Sequence, residues 1–142
     1  TPILNDDLEV TGPITAKIYA SSSAPDTDFY VILVDVYPDG HTQYLTQGQL
    51  RARYRNGMES RQLLNAGEIV ELDIAIQSTS NVFQKGHRLR IEITSSDYSR
   101  HARNQNVEDE EGVTANTAVA HNKIHHTEVH QSYIMLPIIP TQ

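Results

Sequence analysis

Phe29-Tyr30-Val31-Ile32-Leu33-Val34-Asp35-Val36-Tyr37 is the stretch that decides the fold of this 142-residue chain. Nearly every residue in it is apolar, so a β-strand formed here would be apolar on both of its faces. A strand of that kind is covered on both faces. The core of a two-layer sandwich covers only one face. We therefore expect a loop or a second domain to cover the other face.

Outward from this strand, apolar and polar residues alternate repeatedly, and helical periodicity is nearly absent. Parallel pairing would need crossover helices, which the pattern does not offer. The sequence thus predicts an all-β fold, an antiparallel β-sandwich of the jelly-roll, galactose-binding-like type. Besides 29–37, strands are predicted over residues 8–10, 14–21, 41–46, 50–55, 68–76, 88–94, 116–120 and 133–138.

Composition narrows the function classes. A chain of 142 residues is long enough for one domain, so we treat 1–142 as a single unit. Its net charge of -7 disfavours nucleic acid and anionic membrane surfaces as partners. The absence of cysteine excludes disulfides and thiolate catalysis and is compatible with a cytoplasmic location. We see no signal peptide in this sequence.

Catalytic serine chemistry is not expected within the chain. A serine hydrolase holds its nucleophile in a tight turn, commonly G-x-S-x-G, next to a base. The sequence contains no such motif. Its serines at 21–23, 95 and 96 fall in loops that have no glycine scaffold. We therefore assign no catalytic residue.

Three clusters of polar residues could suggest a metal or anion site, but each has a simpler interpretation. His121, His125, His126 and His130 cluster within ten positions, but His126-Thr127-Glu128-Val129-His130 is not the zinc motif H-E-x-x-H. The acidic run 108–111 lacks the spaced ligands and the glycine of a calcium loop, which favours a solvated loop. An arginine stripe at 51, 53 and 55 favours a solvent or interdomain face whose arginines pair with carboxylates. We expect neither a metal ion nor a cofactor.

Six segments in order carry a resemblance to one protein family, from about residue 3 to residue 140. The segments are Asp6-Asp7-Leu8-Glu9-Val10-Thr11-Gly12-Pro13, Ser22-Ser23-Ala24-Pro25-Asp26-Thr27-Asp28-Phe29, Val34-Asp35-Val36-Tyr37-Pro38-Asp39-Gly40, Leu50-Arg51-Ala52-Arg53-Tyr54-Arg55, Asn81-Val82-Phe83 leading into Gly86-His87-Arg88-Leu89-Arg90, and Ser95-Ser96-Asp97-Tyr98. Together they resemble the C-terminal domain of the X-prolyl dipeptidyl-peptidase and cocaine-esterase family, which includes α-amino-acid ester hydrolases and glutaryl acylases. After Asn104 the sequence departs from the commonest family pattern.

The resemblance implies a non-catalytic jelly-roll domain at the C-terminal end of a larger serine hydrolase. In such a parent, the catalytic serine, aspartate and histidine belong to an α/β-hydrolase domain, so none is carried onto this sequence. The expected partner is that catalytic domain of the same polypeptide, together with subunit contacts in a homo-oligomer. The expected activity of the parent is acyl or ester hydrolysis or X-Pro dipeptidyl-peptidase cleavage.

Interface residues are expected on the doubly apolar strand, on the arginine stripe and on the loop after 88–94. That loop follows a strand end, from which it can reach a neighbouring domain. The alternative function is a carbohydrate- or ligand-binding module, a use that jelly rolls often serve. The expected interface residues are Tyr30, Ile32, Arg51, Arg53, Asp97, Tyr98, Arg100 and Arg103.

Overall fold

The computed structural model describes residues 1–109 and 115–140, and it confirms the all-β, antiparallel fold. In this part of the chain, no helix is long and apolar enough to cross a membrane. A short 3-10 helix at Ala52–Tyr54 follows the third strand. The strands are β1 Leu8–Ser22, β2 Asp28–Val36, β3 Thr42–Arg51, β4 Val70–Phe83, β5 Arg88–Thr94, β6 Asn122–Ile124, β7 Tyr133–Met135 and β8 Ile138–Ile139.

The strands form one curled sheet in the order β5-β2-β3-β4-β1-β6, and every pairing is antiparallel. The short strands β7 and β8 also pair directly with β1, at residues 15–17 and 9–10 of that strand. The ladder between strands β3 and β4 has a single residue pair, Gly48 and Ile76. The sheet therefore has two well-paired halves, β5-β2-β3 and β4-β1, joined by a narrow crossing. This arrangement is consistent with the predicted sandwich.

The core lies on the inner faces of both halves. Alternation along β4 buries Val70, Leu72, Ile74 and Ile76 while the residues between them are exposed. On β2, Phe29, Val31 and Leu33 face the same core. Burial of each large apolar side chain contributes about 1.5–3 kcal/mol relative to exposure. The pattern that predicted the strands is therefore also the pattern that closes the core.

Strand β2 is buried on both faces, as its composition indicates. Tyr30 and Val34 lie opposite the core face, yet they are only 3% and 4% exposed. The ring of Tyr30 packs against His101, with 5.5 Å between ring centroids. His101 belongs to the loop after β5. At Tyr30, the second face is thus covered by a loop of this same chain.

Two predicted strands, 8–10 and 14–21, are one strand in the structure. Strand β1 runs through the Gly12-Pro13 pair and stays paired with β4 on both sides of it. The register shifts between Gly12 and Ile14, where Gly12 has a φ of 134°. A glycine at positive φ accommodates such an irregularity without the strain that a Cβ would bring. The break between the two predicted strands is therefore a bulge within β1.

The predicted strand 50–55 is wrong beyond Arg51. The backbone N–H of Ala52 donates to the carbonyl of Thr27, and that of Arg53 donates to the Asp26 carboxylate. These bonds tie the chain to the segment before β2, and it turns into the 3-10 helix. Arg51, Arg53 and Arg55 therefore do not share one solvent face.

The predicted strand 116–120 is also wrong. These residues form no named strand, and the strand of this region is β6, at Asn122–Ile124. Ala118 is instead held by a loop, since its N–H donates to the carbonyl of Gln105. Its own carbonyl accepts from Asn106. Both partners lie in the polar segment before it, which offers no strand edge for continued pairing.

Candidate functional site

A buried ion pair joins the segment before β2 to the 3-10 helix after β3. Nε of Arg53 lies 2.7 Å from Oδ2 of Asp26, and the two side chains are 5% and 0% exposed. The other carboxylate oxygen of Asp26 accepts the backbone N–H of Arg53 at 2.9 Å. Buried charges are tolerated only when they are paired and hydrogen-bonded, and this pair meets that condition.

A second pair lies beside the first. Arg51 donates through Nε and Nη2 to the two carboxylate oxygens of Asp28, at 2.8 and 3.1 Å. The side-chain amide of Asn104 links the pairs, donating to Asp26 at 2.7 Å and to Asp28 at 2.8 Å. Asn104 is therefore a partner of both aspartates, and it brings the loop after β5 into the same network.

Arginines also hold the carbonyls of that loop. Nη2 of Arg53 donates to the carbonyls of Val107 and Asp109, at 2.7 and 3.2 Å. Arg61 donates to the carbonyl of Glu108. A guanidinium has five N–H donors in a rigid fork, so it serves a carboxylate and several carbonyls together. Segment 104–109 is thus fixed to the domain by its backbone. Glu110 and Glu111 of the acidic run lie outside the described residues.

Asp97 fixes the beginning of the same loop. Its carboxylate accepts from Nε2 of Gln47 at 2.8 Å and from Nδ1 of His101 at 3.0 Å. Nη1 of Arg100 lies 3.8 Å away. The hydrogen bond from Gln47 lowers the pKa of Asp97 the most, burial opposes it, and His101 and Arg100 lower the pKa further. The ionised form of Asp97 therefore ties this loop to β3.

Between Asp97 and Asn104, which anchor the two ends of this stretch, the loop presents side chains to solvent. Tyr98 is 67% exposed, and the guanidinium of Arg103 lies over its ring at 4.4 Å from the centroid. Arg100 lies over the ring of Tyr44 on β3, at 5.4 Å. Two arginine–tyrosine stacks thus form an exposed surface, which we call the loop platform: Tyr44, Tyr98, Arg100 and Arg103. Arginine and tyrosine are the residues that dominate binding energy at interfaces.

A cavity of about 360 Å³ lies next to His101 of this loop. Met58, which is 78% exposed, stands at its lining, and Tyr30 lies on its wall. The cavity is open and mixed in character, with Arg51 and Asp28 paired at one side. The whole lining is Asp28, Tyr30, Gln49, Leu50, Arg51, Tyr54, Met58, His101 and Ala102.

The eight expected interface residues fall into two groups. Tyr30 and Arg53 are buried inside the domain, while Ile32, Arg51 and Asp97 are half-buried. Only Tyr98, Arg100 and Arg103 are exposed. In the first group, Tyr30, Arg53 and Asp97 contact or anchor the loop after β5. The exposed group is free to touch a neighbour. The expectation of an interface at all eight residues stays a prediction.

Sequence reasoning did not identify Asp26, Asn104, Gln47 or His101. A signal existed for the first of these, because Asp26-x-Asp28 and Arg51-x-Arg53 have the same spacing of opposite charges. Asp28 and Arg51 are direct partners in the β2–β3 register. For Asn104 and Gln47 no local pattern marks the role, since their partners lie far away along the chain. His101 bonds to Asp97 only four residues earlier, but its ring packs on Tyr30, which is far away in sequence.

Two histidines of the cluster, His125 and His130, contact neighbouring side chains within the domain. Nε2 of His125 lies 2.9 Å from Oγ of Ser21, and its ring lies 6.3 Å from that of His130. Within residues 1–109 and 115–140, no group of three or more histidine, aspartate or glutamate side chains is arranged to hold a metal ion. His87, outside this cluster, is buried and pairs with Asp35 at 2.9 Å.

Comparison with known proteins gives this architecture a family. The family model described as the X-Pro dipeptidyl-peptidase C-terminal non-catalytic domain matches residues 1–135. The cocaine esterase of Rhodococcus sp. (strain MB1 Bresler) is 44% identical over 98% of the chain, and the match covers 25% of that esterase. The chain thus spans about a quarter of the length of this relative.

Two solved structures share the fold. An aminopeptidase from a marine sediment archaeon, Thaumarchaeota archaeon, is 27% identical, with a TM-score of 0.87 over 99% of this chain and 25% of its own. An α-amino acid ester hydrolase is 24% identical, with a TM-score of 0.89 over 98% of this chain and 25% of its own. The family match covers nearly the whole chain, and so this chain belongs to the X-Pro dipeptidyl-peptidase C-terminal non-catalytic domain family.

Proposed function

We propose that this chain is an accessory domain of a serine hydrolase and packs on the α/β-hydrolase catalytic domain of the same polypeptide. The family match supports the non-catalytic role. The quarter-length match to an esterase supports a longer parent. For the parent we propose hydrolysis of acyl, ester or X-Pro peptide bonds, in line with the names of the family and of its relatives. The domain supports the architecture of the active site or the association of subunits.

The observation that carries the proposal is the loop platform. Its backbone is anchored at Asp97 and again at Asn104, while Tyr98 between them is 67% exposed. Ordering a loop at an interface costs free energy on binding. A loop already held by hydrogen bonds avoids most of that cost. An exposed aromatic ring on a fixed backbone is therefore suited to packing against a neighbouring domain.

The first test concerns catalysis by the chain itself. Purified 1–142 is incubated with p-nitrophenyl acetate and with an Xaa-Pro anilide. We expect no saturable turnover of either substrate. Saturable turnover that a serine-directed inhibitor abolishes would contradict the non-catalytic role.

The second test compares the same substitutions in two contexts. Because Tyr98 and Arg100 are exposed in this domain, Tyr98→Ala and Arg100→Ala should change the stability of the isolated chain by less than about 0.5 kcal/mol. In the full-length hydrolase we expect each to lower Tm or kcat/KM. Lys123→Ala, at an exposed lysine on β6, is the matched control and should be neutral in both contexts. Equal, small effects in both contexts would reject the loop platform as the interface.

A further inference from the structure

Strand β5 stands at the end of the sheet order. Within the described residues, its strand pairing is with β2 alone, and its opposite edge is contacted at its beginning by Thr1. The amino group of Thr1 donates to the carbonyl of Leu89 at 2.8 Å, and the N–H of Leu89 donates to Oγ1 of Thr1 at 3.0 Å. The N-terminal residue of this chain thus lies against the open edge of β5.

The direction of this contact is antiparallel. Leu4 donates its N–H to the carbonyl of His87 and accepts from the N–H of Gly86. Partner numbers therefore fall from 89 to 86 as the N-terminal segment advances from 1 to 4. A residue that precedes Thr1 on this line would lie next to Arg90, and earlier residues would lie next to Ile91 and beyond.

Beyond Leu89, no described residue forms a backbone hydrogen bond with this open edge, so its outward backbone groups are unused there. Backbone N–H and C=O groups of successive strand residues point to opposite edges, so those of Ile91 and Ile93 point the same way as those of Leu89. Leu89 uses its groups on Thr1. An edge of this kind is a template on which another strand adds by main-chain hydrogen bonds.

The core is also open along this edge. Ile91 and Ile93 lie on the core-facing side of β5, yet both are only half-buried. A cavity of about 510 Å³, lined in part by Ile91, Ile134 and Leu136, separates β5 from β7. A second, of about 280 Å³, reaches Ile93 and Val31. An added strand would bring apolar side chains into this gap.

We propose that the residues directly before Thr1 in the parent polypeptide form a strand antiparallel to β5 and close the gap between β5 and β7. This inference rests on the proposed function, because it requires the longer polypeptide that the quarter-length match supports. From the pairing of Thr1 with Leu89, the residue two positions before Thr1 lies opposite Ile91, and the residue four positions before it lies opposite Ile93. Both are expected to be apolar.

A cross-link in the full-length protein tests this register. Hydrogen-bonded antiparallel partners have Cα atoms about 5.5 Å apart, which a disulfide can span. We expect Ile91→Cys to form a disulfide with a cysteine placed two positions before Thr1 when a mild oxidant is added. Glu92→Cys, whose side chain points to the other face of β5, is the matched control and should not link. Equal linking at 91 and 92, or none at 91 in the folded protein, overturns the proposal.

Hydrogen exchange of the unmodified full-length protein gives a second readout that needs no variant. The amides of Ile91 and Ile93 should exchange about tenfold or more slowly than in isolated 1–142. Equal exchange overturns the proposal. Protection that appears only as protein concentration rises also overturns it, because a second copy would then occupy the edge.

Hydrolase activity of the same full-length sample separates the two claims. Turnover blocked by a serine-directed inhibitor, without protection or the cross-link, would reject the added strand and leave the proposed function standing. Protection and the cross-link without such turnover would reject the proposed function and leave the added strand standing.

Discussion

Arg53 and Asp26 form an ion pair, with 2.7 Å between Nε and Oδ2, and both side chains are buried. The same guanidinium also holds the carbonyls of Val107 and Asp109. One side chain therefore links the segment before β2, the 3-10 helix after β3 and the loop that follows β5. The position of the loop platform depends on this link.

Removal of Arg53 should destabilise the domain strongly. Arg53→Met leaves the Asp26 carboxylate buried without its ionic partner, and a loss of about 3–5 kcal/mol is expected. Arg53→Lys keeps the charge but loses the planar fork, so it should not restore full stability. The free energy of unfolding is measured by urea denaturation of the purified chain.

An exposed pair provides the control for Arg53. Arg90 lies 2.8 Å from Glu92, and both side chains are nearly half exposed. Exposed pairs contribute about 0–1 kcal/mol. Arg90→Ala should therefore have a small effect. A loss below about 1 kcal/mol for Arg53→Met would show that burial of this pair does not determine the stability of the loop anchor.

Asn104→Asp should cost more than Asn104→Ala. The native amide donates to Asp26 and to Asp28, while a carboxylate would donate to neither and would place a third negative charge between them. Alanine removes the donors without adding charge. Urea denaturation of both variants at pH 7 gives the comparison. Equal losses for the two variants would contradict this role of charge.

Gly48 is required by the close crossing of β3 and β4. A Cβ at this position would lie 2.3 Å from the backbone carbonyl oxygen of Ala75. Because a backbone atom cannot move aside without disturbing β4, Gly48→Ala should cost about 1–3 kcal/mol or more. Gln49→Ala, at the exposed next position of β3, is the control and should stay within about 0.5 kcal/mol. Differential scanning calorimetry should show a clear fall in Tm for Gly48→Ala alone.

Alternation of apolar and polar residues was enough to predict most of the long strands. From Val70 to Ile76 of β4, each inward position is apolar and each neighbour is exposed, so sequence and burial agree residue by residue. The same rule failed at Arg53. Its position within an alternating stretch suggested a surface side chain, but Asp26 lies 27 residues earlier and draws the guanidinium inward. Alternation reports which face a residue takes only while the strand continues.

Three of the four residues of the loop platform could be predicted, and only from their position in the chain. Tyr98, Arg100 and Arg103 follow a strand end, and the structure exposes all three. The groups that fix them were not evident, because Gln47 reaches Asp97 across 50 residues of sequence. Hydrogen bonds between distant residues carry no periodic signature. They become visible only once the strands have been placed.

The hydrogen bond from Gln47 to Asp97 should make stability depend on pH in acid. The pKa of Asp97 is lower in the folded chain than its ordinary value of 3.8, chiefly because of Gln47. The unfolded chain therefore binds a proton at a higher pH than the folded chain does. This contribution is complete at pH values above the ordinary value and is lost as the pH falls through the lower, folded value. The stability difference between the native chain and Asp97→Asn should shrink over that window.

The source of this pH dependence can be assigned by two further variants. Gln47→Ala removes the hydrogen bond that lowers the pKa of Asp97 most, whereas His101→Ala removes a smaller contribution. An NMR titration of the Asp97 carboxyl should therefore show a larger rise of its pKa in Gln47→Ala than in His101→Ala. The reverse order would mean that His101, and not β3, holds the beginning of the loop. The platform would then depend on a contact within the loop itself and would be expected to shift when the loop docks on a neighbour.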